Sequence, residues 1–263
     1  MRSPEQLRGD PATVHFVGAG PGAADLITLR AAALLATADV VLFPGTYIDA
    51  DVLSHCREDA HRVDTQELDL DRITAVMVEA HVAGRDVVRL TSGDPSLYSA
   101  LHEQTRRLDA AGVPWDVTPG VPAYAAAAAI VGRELTVPLV AQSVVLTRTQ
   151  ARSTAMPEGE SLAAYAATGA TLVLHLAITR TAALMAELGP FYGENCPVAV
   201  VSRASQPEEL VLRGTVGTVA ALVEDAGLRQ AAVILVGPAL ASASDAESYL
   251  YSPERLARKE RLR

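Results

Sequence analysis

The amino-acid sequence predicts an α/β protein of two α/β domains, the first with a mainly parallel sheet and the second with a mixed sheet. Short β-branched runs alternate with longer stretches rich in alanine and leucine, which is typical of βα-type proteins. Two prolines and a glycine within residues 118–122 interrupt the chain, so the domain boundary is placed there. Strand-like runs that follow one another closely near residues 198–212 indicate an antiparallel part in the second sheet.

The first predicted domain, residues 13–119, alternates strands with helices. Strands are predicted at residues 14–17, 40–43, 87–90 and 115–118, and helices at residues 25–37, 71–83 and 98–111. Pro44 and Gly45 end the second strand, while Gly84 and Gly112 end two of the helices. This order predicts a sheet whose strands run parallel.

The second predicted domain, residues 123–241, has more strands in close succession. Helices are predicted at residues 123–132, 161–168, 180–188 and 219–226, and strands at residues 143–146, 171–176, 198–201, 209–212 and 232–236. Residues 242–263 form a C-terminal tail with five basic residues among the last nine, which predicts a solvated helix.

Composition excludes several classes of function. The chain has 31 acidic and 22 basic residues, a net charge of −9 that argues against a nucleic-acid partner. Cys56 and Cys196 lie far apart and form no CxxC pair, so neither structural zinc nor disulfides are expected. The only lysine, Lys259, lies near the C-terminus, which excludes a P-loop lysine and argues against a Schiff base.

The sequence predicts a soluble cytoplasmic protein. Residues 1–13 are polar and contain two prolines, so they lack the apolar region of a signal peptide. The longest apolar run, residues 123–131, is too short to span a bilayer.

Three glycine-containing loops follow predicted strands of the first domain: GAGPG at residues 18–22, TSGDP at residues 91–95 and TPGVP at residues 118–122. In open α/β sheets, ligands bind outside the carboxyl ends of the strands, so loops that meet there describe a cleft. A simple tight turn would explain any one loop, but it does not explain all three.

The first loop also matches the dinucleotide fingerprint G-x-G-x-x-G/A, through Gly18, Gly20 and Ala23. That site needs an acidic residue at the carboxyl end of the second strand, where none is present, and Asp39 precedes that strand. Pro21 lacks the N–H that a pyrophosphate would need. We therefore expect no binding of NAD or NADP.

Hydrolytic and metal-dependent chemistry is not indicated either. The chain has no G-x-S-x-G, no H-E-x-x-H and no paired histidines, so no metal site is expected. His175 lies within a predicted apolar strand and is the one histidine kept as a candidate site residue. The sequence identifies no catalytic acid, base or nucleophile.

The segments VHFVGAGPGAADLITLRAAALLATADVVLF, RLTSGDPSLYSA and VTPGVPAYAAAAA together resemble the tetrapyrrole (corrin/porphyrin) methylase family. The similarity continues to about residue 241. The most discriminating stretch, TRTQARSTAMPEGESL, is similar to the branch of the family that methylates precorrin-4 at C11, giving precorrin-5 in cobalamin (vitamin B12) biosynthesis.

The resemblance implies methyl transfer from S-adenosyl-L-methionine, with S-adenosyl-L-homocysteine as product, in a cleft between two domains of a homodimer. The implied cofactor contacts are Pro21, Ser92, Gly93, Asp94, Leu97, Pro122 and Ala123, with Leu176, Ala204 and Ala232 from the second domain. The substrate is a polycarboxylate, for which arginine is well suited. The candidate substrate residues are Arg148, Arg152, Arg203 and His175.

Other activities remain open at this stage. Uroporphyrinogen-III methylases carry an acid–arginine pair after strand two and a Gly-Lys-Arg segment downstream, whereas this chain has FPGTY at residues 43–47 and RVDTQE at residues 62–67. The alternatives are another corrin methylase acting at a different ring carbon, an enzyme for cobalt-precorrin-4, a relative that modifies a protein or RNA, and a non-catalytic ligand-binding module.

Overall fold

The fold is that of a computed structural model, which describes residues 12–149 and 155–241 together with Arg255 and Arg258. The chain divides into two compact units. The first consists of Met1–Ala126 and Arg203–Glu208, and the second consists of Ala127–Ser202 and Glu209–Arg263. A short segment from late in the sequence therefore joins the first unit.

The first unit is built on a five-stranded sheet of order β3-β2-β4-β1-β5, in which every pair is parallel. Its strands are β1 Val14–Gly18, β2 Val40–Phe43, β3 His61–Asp64, β4 Val87–Thr91 and β5 Trp115–Thr118. Its helices are α1 Leu29–Leu35, α2 Leu70–Val82 and α3 Leu101–Ala110, with 3-10 turns at Ala24–Leu26 and Ala50–His55. Helix α4, Ala123–Val131, runs from the first unit into the second.

Apolar side chains cover both faces of this sheet. Val17, Val88 and Leu90 pack with α1 on one face. Phe16 and Leu42 lie on the other face with residues of α2 and α3. Strand β1 is buried along its whole length, as expected for a central parallel strand, and its one polar side chain, His15, contacts Asp116.

The four strands predicted in this unit are confirmed, and three details differ. Strand β3 was missed because it is a four-residue edge strand that exposes all but Val63. The predicted helix at residues 25–37 begins only at Leu29, because Thr28 accepts a hydrogen bond from the Ala31 amide and caps it. Helix α3 begins later than predicted, because Tyr98 and Ala100 have left-handed φ of 53° and 55°.

The second unit has a five-stranded mixed sheet of order β6-β7-β10-β8-β9. Its strands are β6 Val144–Arg148, β7 Thr171–His175, β8 Pro197–Ser202, β9 Leu210–Thr215 and β10 Ala232–Val236. Its helices are α5 Leu162–Ala166, α6 Thr181–Tyr192 and α7 Val219–Asp225, with 3-10 turns at Ile178–Arg180 and Pro238–Leu240. Only β6 and β7 pair in parallel, which confirms the predicted antiparallel part.

Strand register gathers several residues at one edge of the second sheet. Arg148 at the end of β6 pairs with His175 at the end of β7. Strand β10 runs antiparallel to β7 with Ile234 opposite Leu174, so its first residue, Ala232, lies beside the end of β7. Ala232 also pairs with Ser202, the last residue of β8.

In the described part of the chain, no helix is both long and apolar enough to cross a membrane.

Candidate active site

Backbone hydrogen bonds join the first two glycine loops at the carboxyl edge of the first sheet. The Ala19 amide donates to the Thr91 carbonyl at 2.9 Å. Gly20 and Gly93 then exchange two bonds, with N···O distances of 3.2 and 2.8 Å. Since Gly93 has a φ of +68°, a side chain would be strained there. The two loops are therefore fixed to each other by their main chains.

The third loop closes against the first two at Gly120. Its amide donates to Asp94 Oδ2 at 2.8 Å. A Cβ on Gly120 would lie 2.2 Å from the Gly93 carbonyl oxygen and 2.8 Å from the Gly18 Cα. These contacts are with backbone, which cannot move aside as a side chain can. The approach of the three loops thus depends on glycine at this position.

Asp94 is the side chain that connects the second and third loops. Its Oδ1 accepts from the Ser96 amide at 2.8 Å and from the Ser96 hydroxyl, while Oδ2 accepts from Gly120. Desolvation alone would raise the pKa of this carboxyl, but the hydrogen bonds outweigh it and leave the pKa below its usual value. Helix α3 begins at Leu101, well beyond Asp94, so Asp94 does not cap it.

The structure gathers the predicted first-domain cofactor residues into this loop cluster. Pro21 and Gly93 are buried, Ser92 is exposed, and Leu97 is half-buried with its amide donating to the Asp94 carbonyl at 3.2 Å. A Cβ on Gly93 would meet the Ala123 amide at 3.5 Å and the Pro122 Cα at 3.6 Å. The set is Pro21, Ser92, Gly93, Asp94, Leu97, Pro122 and Ala123.

Residues after β8 approach the first loop, a feature that the sequence analysis missed. The Ala23 amide donates to Ser205 Oγ at 3.0 Å, and Gln206 Nε2 donates to the Pro21 carbonyl at 3.5 Å. Ala204, which the resemblance placed among the second-domain contacts, is buried in this same segment of the first unit. No local pattern in the sequence signals these contacts, because they join positions more than 180 residues apart.

Left-handed backbone occurs at three turns of the described chain where the resemblance placed second-domain contacts. Leu176 has a φ of +53° and a side chain that is 64% exposed. Arg203, Ser205 and Ala231 have φ of 47°, 64° and 52°. Non-glycine residues in this conformation carry strain that tends to occur at functional sites. The predicted contacts Leu176, Ala204 and Ala232 therefore lie in or next to turns with left-handed backbone, after β7, after β8 and before β10.

The edge of the second sheet carries the predicted substrate residues Arg148 and His175. Arg148 Nη2 donates to the Ala155 carbonyl at 3.4 Å. Arg148 also lines a cavity of about 270 Å³ together with Arg180 and Ser161. Burial lowers the pKa of His175, so its imidazole is neutral at pH 7. Arg203 lies at 3.9 Å from Glu208 in the first unit, and Arg152 lies outside the described residues.

The end of β2 itself carries no acidic residue, and Asp64 at the end of the neighbouring β3 accepts from the Gly45 and Gln66 amides, both at 2.9 Å. Asp39 precedes β2 and lies at the amino edge, where its carboxylate accepts from Arg57 Nη1 and from the Asp86 amide, both at 2.9 Å.

Within residues 12–149 and 155–241, no group of three or more histidine, cysteine, aspartate or glutamate side chains could hold a metal ion.

The family model that describes tetrapyrrole (corrin/porphyrin) methylases matches residues 13–220. A precorrin-4 C(11)-methyltransferase of Rhodococcus erythropolis is 53% identical, covering 92% of this chain and 98% of that protein. A cobalt-precorrin-4 C(11)-methyltransferase of Methanocaldococcus jannaschii is 37% identical, covering 90% of this chain and 92% of its own length.

Solved structures agree with the sequence matches. An X-ray structure of a cobalt-precorrin-4 methyltransferase has a TM-score of 0.85 at 36% identity and covers 89% of this chain and 98% of its own. A uroporphyrin-III C-methyltransferase of Thermus thermophilus complexed with S-adenosylhomocysteine has a TM-score of 0.72 at 28% identity, covering 87% and 98%. The match to the family model, over residues 13–220, spans most of the chain. The chain therefore belongs to the tetrapyrrole (corrin/porphyrin) methylase family.

Proposed function

We propose that this protein transfers a methyl group from S-adenosyl-L-methionine to C11 of precorrin-4, giving precorrin-5 and S-adenosyl-L-homocysteine in cobalamin biosynthesis. The observation that carries the proposal is identity of 46–53% over 92% of the chain with relatives named precorrin-4 C(11)-methyltransferase. The stretch at residues 147–162 supports it, because it is the part of the sequence most typical of that branch.

The loop cluster fits S-adenosylmethionine better than a dinucleotide. Its three loops meet through backbone contacts at the carboxyl edge of a parallel sheet, where small ligands of α/β proteins bind. We assign Pro21, Ser92, Gly93, Asp94, Leu97, Pro122 and Ala123 to the cofactor, with Leu176, Ala204 and Ala232 as further contacts. Exposed Ser92 and half-buried Leu97 leave side chains at the surface of an otherwise rigid cluster.

The bound cofactor supplies an electrophilic methyl group on a sulfonium. Transfer of such a group disperses charge, so the chain's task is to position two reactants and to exclude water. Main-chain hydrogen bonds between the loops hold Ser92, Gly93 and Asp94 in one arrangement before any ligand arrives. We assign no acid, base or nucleophile to the reaction, and no metal.

The acidic substrate must be held by local positive charge, because the chain as a whole carries −9. We assign Arg148, Arg152, Arg203 and His175 to the tetrapyrrole. Arg148 and His175 are paired across β6 and β7, which places a cation beside a neutral imidazole at one sheet edge. A guanidinium can bind a carboxylate through two parallel hydrogen bonds.

Cobalt-precorrin-4 is the second candidate substrate. It is favoured by relatives with that name in Methanocaldococcus jannaschii and Priestia megaterium, both 37% identical, and by the structure with a TM-score of 0.85. Identity is higher to the relatives that act on metal-free precorrin-4. We therefore propose the metal-free substrate.

We also propose that the protein works as a homodimer in the reducing cytoplasm. Cys56 and Cys196 are buried free thiols, which is the form that such a compartment maintains. Leu139 is 96% exposed, and the edge strand β5 leaves Val117 39% exposed, so apolar surface is available for a second copy. Light scattering of the purified protein would give the mass in solution, and a monomer at micromolar concentration would contradict the dimer.

The function is tested by turnover with a methyl-labelled cofactor. The purified chain is incubated anaerobically with precorrin-4 and, separately, with cobalt-precorrin-4, and the products are analysed by mass spectrometry and NMR. We expect the label at C11 and faster turnover of the metal-free substrate. A label at another ring carbon would overturn the assigned position. Binding of S-adenosylhomocysteine without turnover of either substrate would identify a ligand-binding module.

A further inference from the structure

A buried arginine lies at the same edge of the first sheet as the loop cluster. Arg89 is the third residue of β4, and only 7% of it is exposed. Two residues further along the strand, Thr91 begins the second glycine loop. The guanidinium extends past the end of β3, because its Nη1 donates to Thr65 Oγ1 at 3.2 Å. The backbone of Arg89 thus lies in the middle of β4, and its guanidinium lies towards the carboxyl edge of the sheet.

Polar groups fix the orientation of this guanidinium. Nε donates to Gln104 Oε1 at 3.1 Å, and Nη1 donates to Thr65 Oγ1 and to the Leu90 carbonyl, both at 3.2 Å. Gln104 is itself held, because its Nε2 donates to the carbonyls of Ser99 and Ala100 at 3.3 and 3.1 Å. These bonds use the Nε donor and both donors of Nη1, and they leave the two donors of Nη2.

The Nη2 group of Arg89 has no protein partner in the part of the chain that the structure describes. Arg89 Nη2 donates to no described atom. It is not among the described polar atoms that are fully buried without a hydrogen-bond partner, so solvent reaches it. No described carboxylate lies within 4 Å of Arg89, and its bonded partners are all neutral. Burial lowers its pKa only to about 10, so the group stays charged at neutral pH.

Buried charges in proteins are normally paired, because desolvation of an unpaired ion is unfavourable. The described ion pairs of other arginines show the contrast. Arg57 is bound by Asp39 and Asp59, and Arg107 by Asp71, although both side chains are much more exposed than Arg89. A cation that is buried, oriented and supplied with neutral partners only is an arrangement suited to an anion that arrives from outside.

We infer that Arg89 binds a carboxylate of the tetrapyrrole substrate. The inference rests on the proposed function, which supplies a polycarboxylate substrate. A carboxylate that reaches the free Nη2 side would neutralise the charge and complete the donors of the guanidinium. Thr65 and Gln104 act as positioning residues, since they orient the guanidinium and leave its Nη2 group available. None of the arginines assigned from the sequence lies in this strand.

A purely structural role is the rival explanation. In that case Arg89 serves to connect Thr65 at the end of β3 with Gln104 in α3, and replacing it would loosen the fold without a specific effect on the substrate. The two explanations differ in what an apolar side chain of similar length would do. Arg89→Met leaves Gln104 Oε1 and Thr65 Oγ1 without a donor and costs stability under both explanations, but only the binding role predicts a specific loss of affinity for precorrin-4.

The test compares Arg89→Met and Arg89→Lys with Arg107→Met, which removes a positive charge that is already paired with Asp71. Equilibrium binding of precorrin-4 is measured anaerobically with S-adenosylhomocysteine present, so that no turnover occurs, at low and high salt. Unfolding by denaturant and affinity for S-adenosylhomocysteine are measured on the same proteins. The KM for precorrin-4 is measured separately with S-adenosylmethionine.

We expect Arg89→Met to bind precorrin-4 at least tenfold more weakly, with a smaller salt dependence and unchanged affinity for S-adenosylhomocysteine. Arg89→Lys should restore part of the affinity, because an ammonium keeps the positive charge but not the fixed position of Nη2. Arg107→Met should bind like the wild type. If Arg89→Met does not fold, a threefold or greater loss in folded Arg89→Lys supports the inference, and wild-type affinity in that variant overturns it.

The inference is overturned if Arg89→Met loses stability while its affinity and KM for precorrin-4 stay at wild-type values. A wild-type protein that binds precorrin-4 without methylating it would contradict the proposed function, and the Arg89 comparison would still decide this inference. A wild-type protein that does not bind precorrin-4 overturns both.

Discussion

The carboxyl edge of the first sheet and the Arg148–His175 edge of the second sheet hold their residues in different ways. At the first edge, main-chain hydrogen bonds and close glycine contacts join the loops, as in the pair formed by Gly20 and Gly93. At the second edge, cross-strand pairing aligns Arg148 with His175, and a left-handed turn exposes Leu176. One edge is held by contacts between loop backbones, and the other by the register of its strands, which sets Arg148 beside His175.

The difference follows from the two topologies. In an all-parallel sheet all carboxyl ends lie on one side, so three loops can meet and glycine can let their backbones touch. In the mixed sheet, the same edge is made from the ends of β6, β7 and β8 and the start of β10, which share no loop type. Backbone contacts suit a ligand that all family members share, whereas side chains can change with the substrate. Substitutions in the glycine loops should therefore affect the cofactor, and substitutions of Arg148 and His175 should affect the tetrapyrrole.

The largest effect is expected from Gly120→Ala. Its Cβ would lie 2.2 Å from the Gly93 carbonyl oxygen, so the third loop must move away from the second. We expect the free energy of unfolding to fall by about 2–3 kcal/mol, with loss of S-adenosylhomocysteine binding, measured by denaturant titration and calorimetry. Gly112→Ala is the control, because its Cβ would meet nothing within 4 Å and only its left-handed φ opposes the change, costing about 1 kcal/mol. Equal stabilities of the two variants would show that the loops can separate freely.

The next effect is that of Asp94→Ala on the cofactor. The carboxylate connects Ser96 to Gly120, and its removal leaves the main-chain amides of both residues without their acceptor. We expect affinity for S-adenosylhomocysteine to fall roughly ten- to a hundredfold, equivalent to about 1.5–3 kcal/mol, as measured by calorimetry. Asp116→Ala, which removes a carboxylate paired with His15 elsewhere on the same sheet, should bind normally.

Asp94 should also make stability depend on pH. Its pKa is lowered in the folded state, so the stabilisation is present above the unfolded value near 3.8 and is lost as pH falls through the lower folded value. Unfolding measured between pH 6 and 3 should show wild type and Asp94→Ala approaching each other in acid. A gap that widens in acid would mean that Asp94 is not stabilised as a carboxylate.

A moderate effect is expected from Arg148→Ala, and it should concern the tetrapyrrole alone. The KM for precorrin-4 should rise roughly tenfold while S-adenosylhomocysteine binding stays nearly unchanged, because a guanidinium–carboxylate contact is lost. The increase should shrink at high salt, and Arg148→Lys should recover it in part. We expect the same of Arg152→Ala. Arg229→Ala, which removes an exposed partner of Glu224, serves as the control. A wild-type KM at low salt for both variants would mean that neither arginine anchors the substrate.

The smallest effect is expected from His175→Gln. Burial lowers the pKa of His175, so the unfolded chain takes up the proton first and the wild-type stability falls as pH drops below about 6.5. The variant should remove part of this slope between pH 6.5 and 5, as measured by urea unfolding, with little change at pH 8. His102→Gln, at an exposed histidine, should leave the slope as it is.

The sequence by itself determined the elements that alternate in polarity and the loops that carry glycine. Buried strands such as β2 and β10 are apolar along their length, and glycine and proline mark where they end. The edge strand β3 could not be predicted, because a strand exposed along one edge needs no apolar pattern. The identity of Pro21, Gly93 and Asp94 as neighbours was predictable, because all strands of a parallel sheet end on the same side.

Only the tertiary structure decided which distant residues meet. Ser205 and Gln206 reach the first loop from more than 180 positions away, and Arg89 lies between Thr65 and Gln104. Local preferences reflect interactions within a few residues, whereas these contacts depend on how helices and strands pack. Whether a buried arginine has a carboxylate beside it is likewise decided by packing, because a charge in the sequence carries no record of its partner.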